Sequence, residues 1–288
     1  MPNLEFSWTT GEGLKMFGQG WEPVTDPRGV ICLVHGLGEH SGRYNHLAAF
    51  LNASGYVLLA FDLRGHGKSE GKRGHSKGMD ALMNDISALL EEGKRRHPDR
   101  PLFLYGHSLG GNLVLNHTLR RLPKVAGVIV TGPALRPAFE PPAWKITLGK
   151  IMYNLFPSLS MSNELDRQLL SHDSEVVNAY INDPLVHDRI TARLAIDLLS
   201  AGLWALENAS RFPVPLLLMH GEADGLTSAQ ASTEFAEKAG GLCTLKIWDG
   251  LYHEIHNEPE KEEVFACLES WLKENETGNN PPPVPGRD

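Results

Sequence analysis

The sequence predicts an α/β fold: a mostly parallel sheet with helices on both faces and a helical cap inserted late in the sheet. Three observations carry this. Short apolar runs alternate with helical patterns, the signature of parallel strands buried on both faces. The alternation breaks once, over residues 133–210. The chain has 288 residues, enough for one large domain carrying a sizeable insertion.

Taken in order, "LEFSWTT" and "LKMFGQGW" near the start read as an antiparallel hairpin, with Gly11 and Gly13 near its turn. Six apolar runs follow: "VICLVHG" (30–36), "YVLLAFD" (56–62), "PLFLYGH" (101–107), "VAGVIVTG" (125–132), "VPLLLMHG" (214–221) and "CTLKIWDG" (243–250). Helical patterns cover roughly 43–54, 80–97, 109–122, 228–239 and 259–274. Residues 133–210 open on the proline-rich "GPALRPAFEPPAW" and continue as amphipathic helix. This divides the chain into a core of 1–132 and 211–274, a cap of 133–210, and a tail from 275 with too few apolar residues to pack. Within the cap, Trp144, Ile146, Leu148, Ile151, Met152, Leu155 and Phe156 have the spacing of an amphipathic helix. Such a face can cover the core, or it can line an acyl tunnel and touch a lipid surface.

Composition narrows the function. Hydrophobic residues make up 41% and charged residues 22%, as in ordinary globular proteins. A net charge of −8 argues against nucleic acid as the main partner, since phosphate binding needs a basic surface. Of the three cysteines, Cys32 and Cys243 lie in apolar runs and read as small core residues. Without a Cys-x-x-Cys or His-Glu-x-x-His pattern, no metal and no cofactor is expected. The start lacks a basic segment followed by an apolar one, and no apolar stretch approaches the ~20 residues that span a bilayer. The expected location is the cytoplasm, peripheral to membranes if the cap touches lipid. Nothing in the sequence specifies an oligomeric state.

The pattern Gly-x-Ser-x-Gly occurs twice, as "GHSKG" (74–78) and "GHSLG" (106–110). A nucleophile elbow is a sharp turn between a buried strand and a helix. Ser108 satisfies this, with "PLFLY" before it and "LGGNLVLNHTLRRL" after it. Ser76 follows the polar loop "GHGKSEGKR" and precedes a helix start, so it reads as a loop serine. A serine needs a base, and the base an orienting acid. In chain order after Ser108, "LLLMHGEADGLT" supplies Asp224 and "LKIWDGLYHEIHNE" supplies His253, each beyond a strand end. His256 competes as base and Asp249 as acid; His253 lies nearer the strand end, and Asp249 suits the start of a turn. The Leu109 N–H is one candidate oxyanion donor, and the Leu37 N–H, between Gly36 and Gly38, is the other.

Together, "HGLGEHSGRY", "FDLRGHGKSEG", "GHSLGG", "GEADGLT" and "YHEIHNE" resemble the monoacylglycerol lipase and lysophospholipase group of α/β-hydrolases. The resemblance runs over roughly residues 5–274 and implies an eight-stranded sheet under a helical cap. It favours Ser108, Asp224 and His253 as the triad and Leu37 and Leu109 as oxyanion donors. It further implies that Glu39, Arg43, His107 and Tyr180 contact the glycerol headgroup, although each has an ordinary structural alternative. Asp62 and Arg64 of "FDLRGHG" read as braces for the neighbouring loop. The implied reaction is hydrolysis of a small lipid ester, a monoacylglycerol first. The alternatives are a lysophospholipase or general esterase with the same machinery, and a non-catalytic ligand-binding protein of the same fold.

Overall fold

The structure, a computed structural model, describes residues 2–276. Its centre is an eight-stranded sheet built from β1 (Leu4–Thr9), β2 (Lys15–Trp21), β3 (Gly29–Val34), β4 (Tyr56–Phe61), β5 (Leu102–His107), β6 (Gly127–Thr131), β9 (Leu216–Gly221) and β10 (Cys243–Trp248). The spatial order is β1-β2-β4-β3-β5-β6-β9-β10. The β1–β2 and β2–β4 pairs are antiparallel and the others parallel. The expected hairpin is therefore present, in the register Leu4↔Gly20 to Thr9↔Lys15.

Continuous apolar runs became strands because both faces of the sheet are covered. In β3, Val30, Cys32 and Val34 enter one core and Ile31 and Leu33 the other. The first core also takes side chains of α2 (Met79–Arg96), α3 (Leu109–Arg121), α6 (Ala192–Asn208) and α7 (Ala229–Ala239). The second lies under α1 (Asn45–Ala53) and α8 (Lys261–Asn275). Each fully buried Val, Leu, Ile or Phe side chain contributes roughly 1.5–3 kcal/mol through desolvation.

Several boundaries differ from the sequence reading. The helix expected from 43 opens as a 3-10 turn, Ser41–Tyr44, before α1. The helix expected from 259 starts at Lys261, because Pro259 favours an extended residue before it and Glu258 has ψ 161. At the far end α8 includes Asn275, and Glu276 pairs with Arg28 at 3.0 Å. The chain thus packs slightly past the expected tail boundary; residues 277–288 of that tail lie outside the described residues. Cys243 opens the edge strand β10 and is only partly buried, whereas Cys32 is a core residue.

Between β6 and β9 the chain makes α4 (Ala143–Leu155), β7 (Ser160–Ser162), α5 (Ser174–Asn182), β8 (Arg189–Thr191) and α6. β7 and β8 form a small antiparallel pair of their own. α6 contributes Leu194, Ala205 and Leu206 to the first core. α4 has no buried residue. Its residues Trp144, Ile146, Leu148, Gly149 and Met152 line a cavity, and Trp144, Leu148, Ile151 and Leu155 are 49–65% exposed.

Candidate active site

The sharp turn at Ser108 is built from the strand before it and the helix after it. Ser108 has φ +54, in the left-handed region, which costs a non-glycine residue about 1–3 kcal/mol. Three backbone hydrogen bonds hold it there: its N–H donates to Thr131 O, and its carbonyl accepts from Asn112 and Ala134, each at 3.0 Å. Gly110 lets α3 lie against β3, since a Cβ there would sit 2.0 Å from the Val34 carbonyl oxygen. Leu109, the first residue of α3, has an N–H with no acceptor inside the helix. Ser76 has a different setting. It is buried in a loop, and its hydroxyl donates to the Gly78 carbonyl at 2.9 Å.

Asp224 and His253 come from the loops after β9 and β10, at the same carboxyl edge of the sheet. His253 Nδ1 donates to Asp224 Oδ2 at 2.7 Å. The carboxylate is held from every side. Oδ1 accepts the Leu226 and Thr227 N–H groups at 2.8 and 3.0 Å. Oδ2 also accepts from the Thr227 hydroxyl at 2.7 Å and from His220 Nε2 at 2.9 Å. Burial alone would raise the Asp224 pKa, but His253 and His220 hold it well below the usual carboxylate range. His253 feels the converse: burial pulls its pKa down, and Asp224 overcomes that and raises it.

The competing assignments separate. Asp249 sits exposed in the turn after β10. His256 is fully enclosed, stacked on Tyr44 at 5.0 Å and edge-on to His107 at 4.8 Å. Burial drives its pKa well below 6.5, so it stays neutral.

Ser108, His253, Leu37 and Leu109 line one cavity of about 600 Å³, whose remaining wall is largely apolar, including Met152, Leu159, Leu198 and Leu226. Serine and histidine face the same space without a hydrogen bond between them among the described residues; such contacts commonly tighten only when substrate is bound.

Residues 25–260 match the serine aminopeptidase S33 family. The chain belongs to that family. A monoacylglycerol lipase of Mycolicibacterium smegmatis is 35% identical over 93% of this chain and 96% of its own length. An uncharacterized abhydrolase domain-containing protein of Dictyostelium discoideum is 39% identical over 88% of this chain, which spans only 27% of that longer protein. The crystal structure of Paleococcus ferrophilus monoacylglycerol lipase superposes with a TM-score of 0.83 at 38% identity, covering 90% of this chain and 99% of that one. The resemblance drawn from the sequence motifs and the eight-stranded sheet it implied are both borne out.

Within this S33-family site, Glu39, Arg43, His107 and Tyr180 are absent from the cavity lining. Each is instead engaged by protein. Glu39 accepts from the Gly36 N–H, the Tyr44 hydroxyl and Arg43. Arg43 also donates two hydrogen bonds to Glu254 and lies 4.6 Å from the centre of the Tyr180 ring. His107 Nδ1 donates to the Thr131 carbonyl at 3.2 Å; burial, then the neighbouring His253, lowers its pKa to about 4. The loop with Leu37 is pinned beyond its other end, where His187 N–H donates to Gly38 O at 2.8 Å. Gly38 has φ +82, and a Cβ there would lie 2.4 Å from the His187 carbonyl. Asp62 and Arg64 brace as expected: Asp62 accepts from Ser41 and Lys68, and Arg64 pairs with Asp85 at 2.7 Å.

His220 and Glu254 escaped the sequence reading. His220 is the penultimate residue of the apolar strand β9, and a polar residue within a wholly buried strand was the available signal. Glu254 carried no such signal, because loop carboxylates are usually solvated. No cluster of three or more His, Cys, Asp or Glu side chains among the described residues is arranged to hold a metal ion.

Proposed function

We propose that this protein hydrolyses monoacylglycerols to fatty acid and glycerol through an acyl-enzyme on Ser108. The observation that carries the reading is the apolar cavity of about 600 Å³ with Ser108 and His253 in its wall. A long acyl chain fits such a lining, and only the ester end needs polar partners.

The Ser108 hydroxyl attacks the ester carbonyl while His253 Nε2 takes its proton. Asp224 keeps Nδ1 protonated, so that Nε2 is the basic nitrogen, and stabilises the imidazolium that forms. The Leu37 and Leu109 N–H groups receive the developing oxyanion. Collapse expels glycerol, which His253 protonates. Water, deprotonated by the same histidine, then attacks the acyl carbon and frees the fatty acid. The family description raises aminopeptidase chemistry as a second reading. That reaction needs a free carboxylate for the substrate amine; Glu164 in the cavity wall is paired with Lys145, and the nearby Glu39 and Glu254 are both occupied by Arg43.

We further propose that α4 meets lipid. Trp144, Leu148, Ile151 and Leu155 fall at the i, i+4, i+7, i+11 spacing of one helical stripe and are exposed beside Phe139 and Phe156; Trp144, Leu148 and Phe139 also line the cavity, so the stripe runs from the cavity wall to the outer face of α4. Among the described residues no helix is long and apolar enough to cross a membrane, so any contact is lateral.

The test is fatty-acid release from a monoacylglycerol, a lysophosphatidylcholine and a short-chain ester, by wild type and Ser108→Ala. Preference for the monoacylglycerol, abolished in the variant, supports the reading. Turnover of the short ester alone would remove the lipid substrate and leave the triad.

A further inference from the structure

A single buried guanidinium joins the loop of the base to the loop of the oxyanion, and we propose that Arg43 and Glu254 are positioning residues that set the Leu37 N–H toward the reacting carbonyl. The inference rests on the oxyanion role given to Leu37 above.

Arg43 sits in the 3-10 turn Ser41–Tyr44. Its Nη1 and Nη2 donate to the two oxygens of Glu254 at 2.6 and 2.7 Å. The same Nη1 donates to Glu39 Oε2 at 2.7 Å. The other oxygen of Glu39 accepts the Gly36 N–H at 2.6 Å and the Tyr44 hydroxyl at 2.8 Å. Glu254 directly follows His253, and Gly36 directly precedes Leu37. The path from base to oxyanion donor therefore runs through charge-assisted hydrogen bonds of 2.6–2.7 Å, which are short, directional and bidentate at Glu254. Asn257 Nδ2 donates to Glu254 Oε2, and the Tyr180 ring covers the guanidinium face.

Stability alone does not account for this arrangement. Two carboxylates, each 2% exposed, share one cation, and such desolvated networks are commonly matched or bettered by apolar packing. What they supply is fixed geometry. The peptide that carries the Leu37 N–H is held at its own carbonyl, Gly36 O, by His35 Nδ1 at 2.7 Å, and at its start by the Gly36 N–H drawn onto Glu39, so its orientation depends in part on where Glu39 stands. Glu39 in turn is placed by Arg43, and Arg43 by Glu254. None of the three lines the cavity, so disturbing them should leave acyl-chain binding intact. A shift of ~1 Å at a catalytic group costs about 10²-fold, and loss of one oxyanion donor about 10²–10³-fold.

The experiment compares wild type, Glu254→Gln and Arg43→Lys in the full chain. A short-chain p-nitrophenyl ester and a monoacylglycerol serve as substrates. An alkyl trifluoromethyl ketone, whose serine adduct carries an oxyanion, and a fatty alcohol of matched length serve as inhibitors. In both variants kcat should fall about 10- to 100-fold with KM within about twofold. Ketone affinity should fall in parallel with kcat/KM, fatty-alcohol affinity should hold, and the double variant should be little worse than either single one. Unchanged kcat and ketone affinity would overturn the proposal, as would equal losses for ketone and alcohol, which mark a general loss of the pocket. Turnover of the short ester without the monoacylglycerol by wild type defeats only the substrate reading, because the short ester and the ketone still decide this one. Absence of any wild-type turnover defeats both.

Discussion

In Asp224→Asn one carboxylate oxygen becomes an amide nitrogen at a point where three donors converge. Oδ2 receives His253 Nδ1 at 2.7 Å, the Thr227 hydroxyl at 2.7 Å and His220 Nε2 at 2.9 Å. Oδ1 receives the backbone N–H groups of Leu226 and Thr227, which cannot become acceptors. The asparagine oxygen must therefore stay with the backbone, and its NH₂ turns toward the imidazole. His253 Nδ1 then has to accept, which moves the ring proton to Nε2, the nitrogen that should take the Ser108 proton. A wrong tautomer of this kind costs about 10⁴ in kcat, or about 5.5 kcal/mol of barrier at ~1.4 kcal/mol per decade. Turnover of a short-chain ester and the rate of fluorophosphonate labelling both measure it, with Asp249→Asn as the control that keeps wild-type rates. Stability should follow with a definite sign. The native Asp224 pKa is depressed, so its contribution is present above the unfolded value near 3.9 and is lost as pH falls through the folded one. The wild-type advantage in thermal unfolding should therefore be widest near neutral pH and shrink in acid. An Asp224→Asn rate within tenfold of wild type, or an equal loss in Asp249→Asn, would refute the assignment.

The remaining expectations follow from the same geometry. Asp224 raises the His253 pKa above 6.5, and the base must be neutral, so kcat/KM should fall as pH drops through a value above 6.5; a pH–rate profile with its acid limb centred below 6 would contradict this. Gly110→Ala places a Cβ 2.0 Å from the Val34 carbonyl oxygen; overpacking of that kind costs about 1–3 kcal/mol or more, and thermal denaturation should show it together with a loss of activity. Replacing Ile151 and Leu155, which are 50% and 65% exposed and lie outside the cavity lining, with serine should weaken sedimentation with phosphatidylcholine vesicles and spare short-ester turnover; unchanged sedimentation would remove α4 from the lipid contact.

The strands were readable because β3, β4, β5, β6 and β9 are buried on both faces, which leaves uninterrupted apolar runs in the sequence. Ser108 was readable for a related reason: its elbow needs a buried strand, a small residue and a helix in succession, and "PLFLYGHSLGGN" spells all three. β7 and β8 were not, since strands of three residues pairing only with each other carry no usable period. α4 was ambiguous because it is apolar toward the cavity and toward solvent at once, so its pattern alone could not say which face mattered. Glu39 and Arg43 were flagged from motifs, but their partner Glu254 lies 211 positions from Arg43 along the chain. Burial of three charges together is a tertiary fact that local composition does not encode.

The most direct test of the central claim is the site of the covalent intermediate. Wild-type protein treated with a fluorophosphonate, or quenched during turnover of a slow ester, would be digested and the modified peptide sequenced by mass spectrometry. The adduct should lie on Ser108, and Ser108→Ala should abolish it while Ser76→Ala leaves it intact. An adduct on Ser76, or wild-type ester turnover persisting in Ser108→Ala, would contradict the account.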